Sequence, residues 1–110
     1  MGNVKEDLLE HVQKNTSGVK AVVLIYDDPY YDEESKSYIL KEGYSLDEYS
    51  VFIESLDFEY NTGFGGQELF GYIWYNDGTW SERGEYDGSE WWSYKRCPEI
   101  KYNIKEEVYG

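Results

Sequence analysis

The chain of 110 residues predicts an α+β fold. The expected form is a single two-layer domain over residues 1–110, with a mainly antiparallel sheet of about five strands packed against one or two helices. Three observations carry this expectation. Apolar residues recur at helical spacing in two segments, a β-branched and aliphatic run lies between them, and the second half alternates aromatic-rich stretches with tight-turn signals. The length suffices for one hydrophobic core but not for two domains.

In chain order, Val4, Leu8 and Val12 form a narrow apolar stripe at four-residue intervals, which predicts a short helix over Val4 to Gln13, ended by Asn15-Thr16-Ser17-Gly18. Val19 to Tyr26 is an almost continuous aliphatic run and reads as a central strand buried on both faces. Asp27-Asp28-Pro29 stops it, because proline has no ladder donor and aspartate favours turns. Tyr30 to Ser35 reads as an acidic, tyrosine-rich loop, and Lys36 to Glu42 re-enters as a strand. Ser45 opens the clearest helix. Its hydroxyl and the Glu48 carboxylate have capping-box spacing, and Leu46, Tyr49, Phe52, Ile53 and Leu56 follow on one face. Asp47, Glu48, Glu54 and Asp57 then mark an acidic outer face. Beyond the connector Gly63-Phe64-Gly65-Gly66, a meander is expected: Leu69 to Tyr75, the turn Asn76-Asp77-Gly78, Thr79 to Tyr86, the turn Asp87-Gly88, and Glu90 to Arg96, closed by Pro98. Residues 101–110 read as a frayed tail.

Charge decides which partners are compatible. Ten Lys and Arg against 23 Asp and Glu give a net charge of −13, which excludes direct nucleic-acid binding of the conventional kind, where cations neutralise phosphates. Both ends of the chain are neutral. The whole excess lies between Asp27 and Lys95, where seventeen acids meet only Lys36, Lys41, Arg83 and Lys95, so it belongs to the folded body and creates a directional field. An aromatic content of 19% argues against disorder. A single cysteine cannot form an internal disulfide, and no apolar run has the length of a signal peptide or membrane span, which points to a reducing cytoplasm and no membrane partner.

Chemical motifs are sparse. His11, the one histidine, reads as a solvent-exposed helical residue without triad partners. Cys97 reads as a small buried hydrophobe at a strand end. Histidine and cysteine together are too few for a structural zinc site, and the acids around Asp32 lack the Gly and terminal Glu of an EF-hand loop, so no metal or cofactor is expected. The glycine-rich connector lacks the Lys-Ser/Thr of a phosphate-binding loop and reads as a turn. What stands out is acids beside aromatics, as in Asp57-Phe58-Glu59-Tyr60 and Glu90-Trp91-Trp92. A compact negative surface can compete with DNA for a basic groove, while aromatic side chains supply packing that point charges do not.

The stretch Gln67 to Ile100, above all Trp80-Ser81-Glu82-Arg83-Gly84-Glu85-Tyr86-Asp87-Gly88-Ser89-Glu90-Trp91-Trp92 followed by Cys97-Pro98-Glu99-Ile100, resembles a family of small acidic proteins encoded by tailed bacteriophages. No activity carries over from that family residue by residue. The resemblance implies a phage origin and expression in the infected bacterial cytoplasm.

The resulting expectation is a non-enzymatic inhibitor of the anti-restriction or anti-CRISPR kind. It presents a DNA-mimicking acidic surface to a basic host protein with a nucleic-acid-binding groove, and it is itself a monomer or homodimer. The residues expected to meet that partner are Asp27, Asp28, Asp32, Glu33, Glu34, Asp47, Glu48, Glu54, Asp57, Glu82, Glu85, Asp87 and Glu90. Two other classes remain open: an aromatic ligand-binding or virion-associated module that stacks Trp74, Trp80, Trp91 or Trp92 on sugars or nucleobases, and, third, a carboxylate-based hydrolase.

Overall fold

The computed structural model describes residues 2–27, 35–60, 66–86 and 89–97, and these form an α+β domain. The elements run β1 (Gly2–Asn3), α1 (Val4–Val12), β2 (Val19–Tyr26), β3 (Lys36–Leu40), α2 (Leu46–Ser55), β4 (Glu59–Tyr60), β5 (Leu69–Tyr75), β6 (Trp80–Tyr86) and β7 (Ser89–Lys95). Five strands form an antiparallel sheet in the order β3-β2-β5-β6-β7, and β1 pairs with β4 in a separate two-stranded ladder.

Local chemistry explains where the helices begin. Asn3 caps α1 by accepting from the Glu6 backbone N–H at 3.0 Å. Ser45 caps α2 with the reciprocal pair that its spacing predicts: its hydroxyl accepts from Glu48 N–H at 3.1 Å, and the Glu48 carboxylate accepts from Ser45 N–H at 3.3 Å. The short β1–β4 ladder, too brief for any periodicity to reveal, ties the start of α1 to the end of α2. Val4 and Lys5 N–H groups donate to the Phe58 and Leu56 carbonyls at 3.0 and 2.9 Å.

Both helices pack on one face of the sheet. Val4 and Leu8 of α1 and Phe52, Ile53 and Leu56 of the second helical segment share a core with Val22, Leu24, Leu40, Leu69, Ile73, Tyr75 and Trp92. The period-2 alternation of the strands then leaves the other row of side chains on a face that no described helix covers.

Several expectations change. β2 is interior to the sheet but buried on one face only, since Ile25 is exposed while Val22 and Leu24 are buried. Leu46, placed by its spacing on the core side of α2, points to solvent and is 85% exposed. The stripe meets the fold only from Tyr49 onward, whose ring stacks on Tyr44 with centres 5.7 Å apart and packs against the core. His11 is half-buried, not a free surface histidine, and Cys97 is exposed, not buried, because it follows the end of β7. The acidic loop after Asp27, the glycine connector up to Gly65, the Asp87-Gly88 turn and the tail from Pro98 lie outside the described residues.

Candidate functional site

Between α1 and the β6–β7 hairpin lies a cavity of about 230 Å³ with His11, Arg83, Glu90 and Trp92 among its walls. Charged side chains from both elements line it, Asp7, Glu10 and Lys14 from α1 and its end and Arg83 and Glu90 from the hairpin. The Arg83 guanidinium donates to the Glu90 carboxylate at 3.3 Å with both side chains closed off from solvent, and to the Tyr60 hydroxyl at 3.1 Å. It also lies 5.5 Å from the Tyr60 ring centre and 5.1 Å from that of Trp92. Such stacking suits a guanidinium, which is planar and weakly hydrated. Two buried donors here, Arg83 Nε and Trp92 Nε1, have no acceptor among the described residues.

Glu90 is therefore a correction to the expected partner-binding set. Its carboxylate accepts from the backbone N–H groups of Glu68 and Leu69 at 2.9 and 3.0 Å, which fixes the entry to β5. Strand parity accounts for the difference: Glu90 stands opposite Glu85 and two residues before Trp92, on the helix-covered row. Nothing in the sequence marks that row as inward until Trp92 is known to be core.

His11 Nε2 and Ser81 Oγ share a hydrogen bond at 2.7 Å, and Ser81 Oγ and the Tyr75 hydroxyl another at 2.8 Å. The spacing resembles a nucleophile and its base, but Ser81 is fully buried, and its two hydrogen bonds join α1 to the sheet. Burial, with Lys14 and Arg83 nearby, holds the His11 imidazole below its ordinary pKa, which favours the neutral ring. Burial, reinforced by the Tyr60 hydroxyl's bond to Asp7 at 2.7 Å, pushes the Tyr60 phenol up to about 12. The cluster joins α1, through Asp7 and His11, to Tyr60 of β4, Tyr75 of β5, Ser81 and Arg83 of β6 and Glu90 of β7.

Among the described residues, the remaining members of the expected set do not form one surface. Asp47, Glu48, Glu54 and Asp57 are exposed on α2 and just beyond its end. Of these, Glu54 pairs with Lys5 at 2.8 Å and Asp57 accepts from Asn3 at 3.0 Å. Glu82 stands opposite Tyr72 and Ser93 on the other face of the sheet, away from both helices. Asp27 and Glu85 are exposed at strand ends. Asp28, Asp32, Glu33, Glu34 and Asp87 lie outside the described residues. Among the described residues, no three His, Cys, Asp or Glu side chains gather as a metal-ligand set, and no helix is long and apolar enough to cross a membrane.

The four tryptophans divide between the layers. Trp92 is buried in the core, whereas Trp74 and Trp91 are exposed and Trp80 is half-buried on the open sheet face. Trp74 pairs across strands with Trp80, and Trp91 lies against Gly84. No protein-family model matches the chain, nor does any curated protein or solved structure.

Proposed function

We propose that the protein is a non-enzymatic binding protein whose acidic helix side docks on a basic, nucleic-acid-binding groove of a host protein. The proposed class of target is the restriction or CRISPR machinery of an infected bacterium, with a phage origin and the host cytoplasm as the setting. The observation that carries this reading is the composition of α2's exposed side. Asp47, Glu48 and Glu54 occur in a helix with no basic residue, beside two aliphatic side chains, Leu46 and Val51, that are 85% and 72% exposed. Asp47 and Glu54 are seven positions apart, about 10 Å along the axis at ~1.5 Å per residue.

Carboxylates on a rigid helix steer a basic partner during encounter, and exposed aliphatic side chains supply contact area once it is seated. The buried cluster around Arg83 contributes by holding the fold, since its hydroxyl and carboxylate groups are committed to internal bonds.

Binding of this kind is displaced by duplex DNA and weakens as salt rises, because exposed charges are screened within about 10 Å at 0.1 M ionic strength. The test is capture of nucleic-acid-binding proteins from bacterial lysate at low salt, followed by competition with duplex DNA. Charge reversal at Asp47 and Glu54, alone and with Asp32, Glu33 and Glu34, is expected to abolish capture. Retention by the reversed variants, or indifference to DNA, would contradict the reading.

A further inference from the structure

Seven of the ten exposed large hydrophobic side chains among the described residues fall on one surface, the sheet face turned away from both helices: Ile25, Ile39, Phe70, Tyr72, Trp74, Tyr86 and Trp91. The cross-strand register makes most of them neighbours. Ile39 stands opposite Val23, Val23 opposite Tyr72, Ile25 opposite Phe70, and Trp74 opposite Trp80. The Tyr72 and Trp74 rings stack on each other with centres 5.7 Å apart. Contiguous apolar patches of this extent are uncommon on a monomer's surface and mark interfaces.

We infer that this face is the interface of a homodimer, two copies packing sheet against sheet with the helices outward. Charge selects the occupant. The chain carries −13, yet the outward positions of the five strands hold only Glu82 and Lys95, of opposite sign, and the nearby Lys20–Glu42 pair at 3.6 Å is also neutral. A basic partner finds no complementary field here. For a second copy, equally acidic, this face sets up little repulsion, since the one carboxylate on its strand positions, Glu82, is offset by Lys95 and the adjacent Glu42 by Lys20.

Size agrees. Strands of five to eight residues, about seven on average at ~3.3 Å each, five abreast at ~4.8 Å spacing, span roughly 550 Å² in plan. A biological interface needs about 1,000 Å² in total, hence about 500 Å² from each copy. Face-to-face sheets pack ~10 Å apart with interdigitated side chains, which the protruding Tyr72, Trp74 and Trp91 rings allow. Such a dimer would turn its two α2 helices to opposite outer sides.

Sedimentation velocity of the full chain tests this inference. Wild type is expected at twice 13.0 kDa, with association strengthening as salt rises, because screening removes repulsion between like-charged copies. That salt response is opposite in sign to the one expected for a basic partner, so failure of either proposal leaves the other distinguishable. Tyr72→Glu, at an exposed position on the central strand, should return the mass to 13.0 kDa, whereas Val51→Glu on the helix side should leave the dimer intact. Should circular dichroism show Tyr72→Glu unfolded, Ile39→Glu on edge strand β3 takes its place. A 13.0 kDa species at every concentration and salt, a dimer that survives these sheet-face variants folded, or a dimer lost in Val51→Glu would overturn the inference. So would a wild-type monomer whose tryptophan fluorescence is quenched by a monosaccharide or nucleoside, which would assign the face to a flat ligand.

Discussion

Arg83 and Glu90 face each other across the β6–β7 hairpin with their charged groups 3.3 Å apart and their side chains shut off from water, so each is the other's principal charge compensation. Removing one partner of such a pair strands the other. Glu90→Ala is expected to cost about 3–5 kcal/mol, a large part of a domain stability of about 5–15 kcal/mol. The loss includes two backbone N–H groups, of Glu68 and Leu69, left without their acceptor. The double variant Arg83→Met/Glu90→Leu should recover part of it, because it leaves no buried charge. Urea melts of the single and double variants check both expectations.

The His11–Ser81 bond gives a pH dependence with a defined sign. Burial is the first cause lowering the His11 pKa, with Lys14 and Arg83 adding to it, while the carboxylates of Asp7, Glu10 and Glu90 share the same cavity. The unfolded chain therefore takes up a proton at a higher pH than the folded one. This contribution to stability is complete above the unfolded value of about 6.5 and is lost as pH falls below it. Thermal melts between pH 7 and pH 5 should show a decline that His11→Gln flattens, against a background set by the carboxylates.

How much of this was legible in the sequence depends on whether a feature is local. The capping box at Ser45 and Glu48 and the Asn76-Asp77-Gly78 turn are decided within a few residues, and both occur as their spacing predicts. The strands β5, β6 and β7 follow, because turns separated by alternating aromatics leave little choice of register. Local spacing misplaces Glu90, His11 and Leu46 for one reason: the surroundings of each are set by elements distant in sequence. A carboxylate beside two tryptophans resembles a surface residue until Arg83, seven positions earlier in sequence, proves to be its partner. The open sheet face was hidden likewise, since aromatic alternation reveals two rows without saying which row the helices cover.

Gly71 and Gly84 test the close approaches within the sheet. Gly71 has φ +154°, and a Cβ there would run into the Val23 carbonyl oxygen, a backbone atom of the paired strand that cannot turn aside. Gly84 would instead bring a Cβ to 2.8 Å from the Trp91 indole, a half-exposed ring that can swing away. Gly71→Ala should therefore cost about 1–3 kcal/mol through strain. Gly84→Ala should cost less and show itself as a change in tryptophan emission. Chemical denaturation followed by fluorescence measures both, and equal losses would refute the distinction.

Asn15 joins the end of α1 to the β5–β6 turn. Its amide nitrogen donates to the Tyr94 hydroxyl at 2.7 Å and to Asp77 and Thr79 at 3.2 Å each, while its oxygen accepts from the Ser17 backbone at 2.8 Å. Side-chain and backbone hydrogen bonds from Thr79 hold the Asp77 carboxyl below its ordinary pKa, with the Asn15 amide contributing, so its negative charge already faces this nitrogen. Asn15→Asp keeps the shape but exchanges the donor for a carboxylate beside Asp77. It should destabilise the protein by about 1–3 kcal/mol at neutral pH through lost donors, with like-charge repulsion added. Asn15→Ala loses the same donors without the repulsion and should be the milder change. The Asp variant alone should have its deficit narrow as pH falls toward 4, where protonation of the introduced carboxyl relieves the repulsion. Parallel melts of the two variants from pH 7 to pH 4 decide the matter: a gap that does not close on acidification would show that charge at this junction is not what the amide is there to avoid.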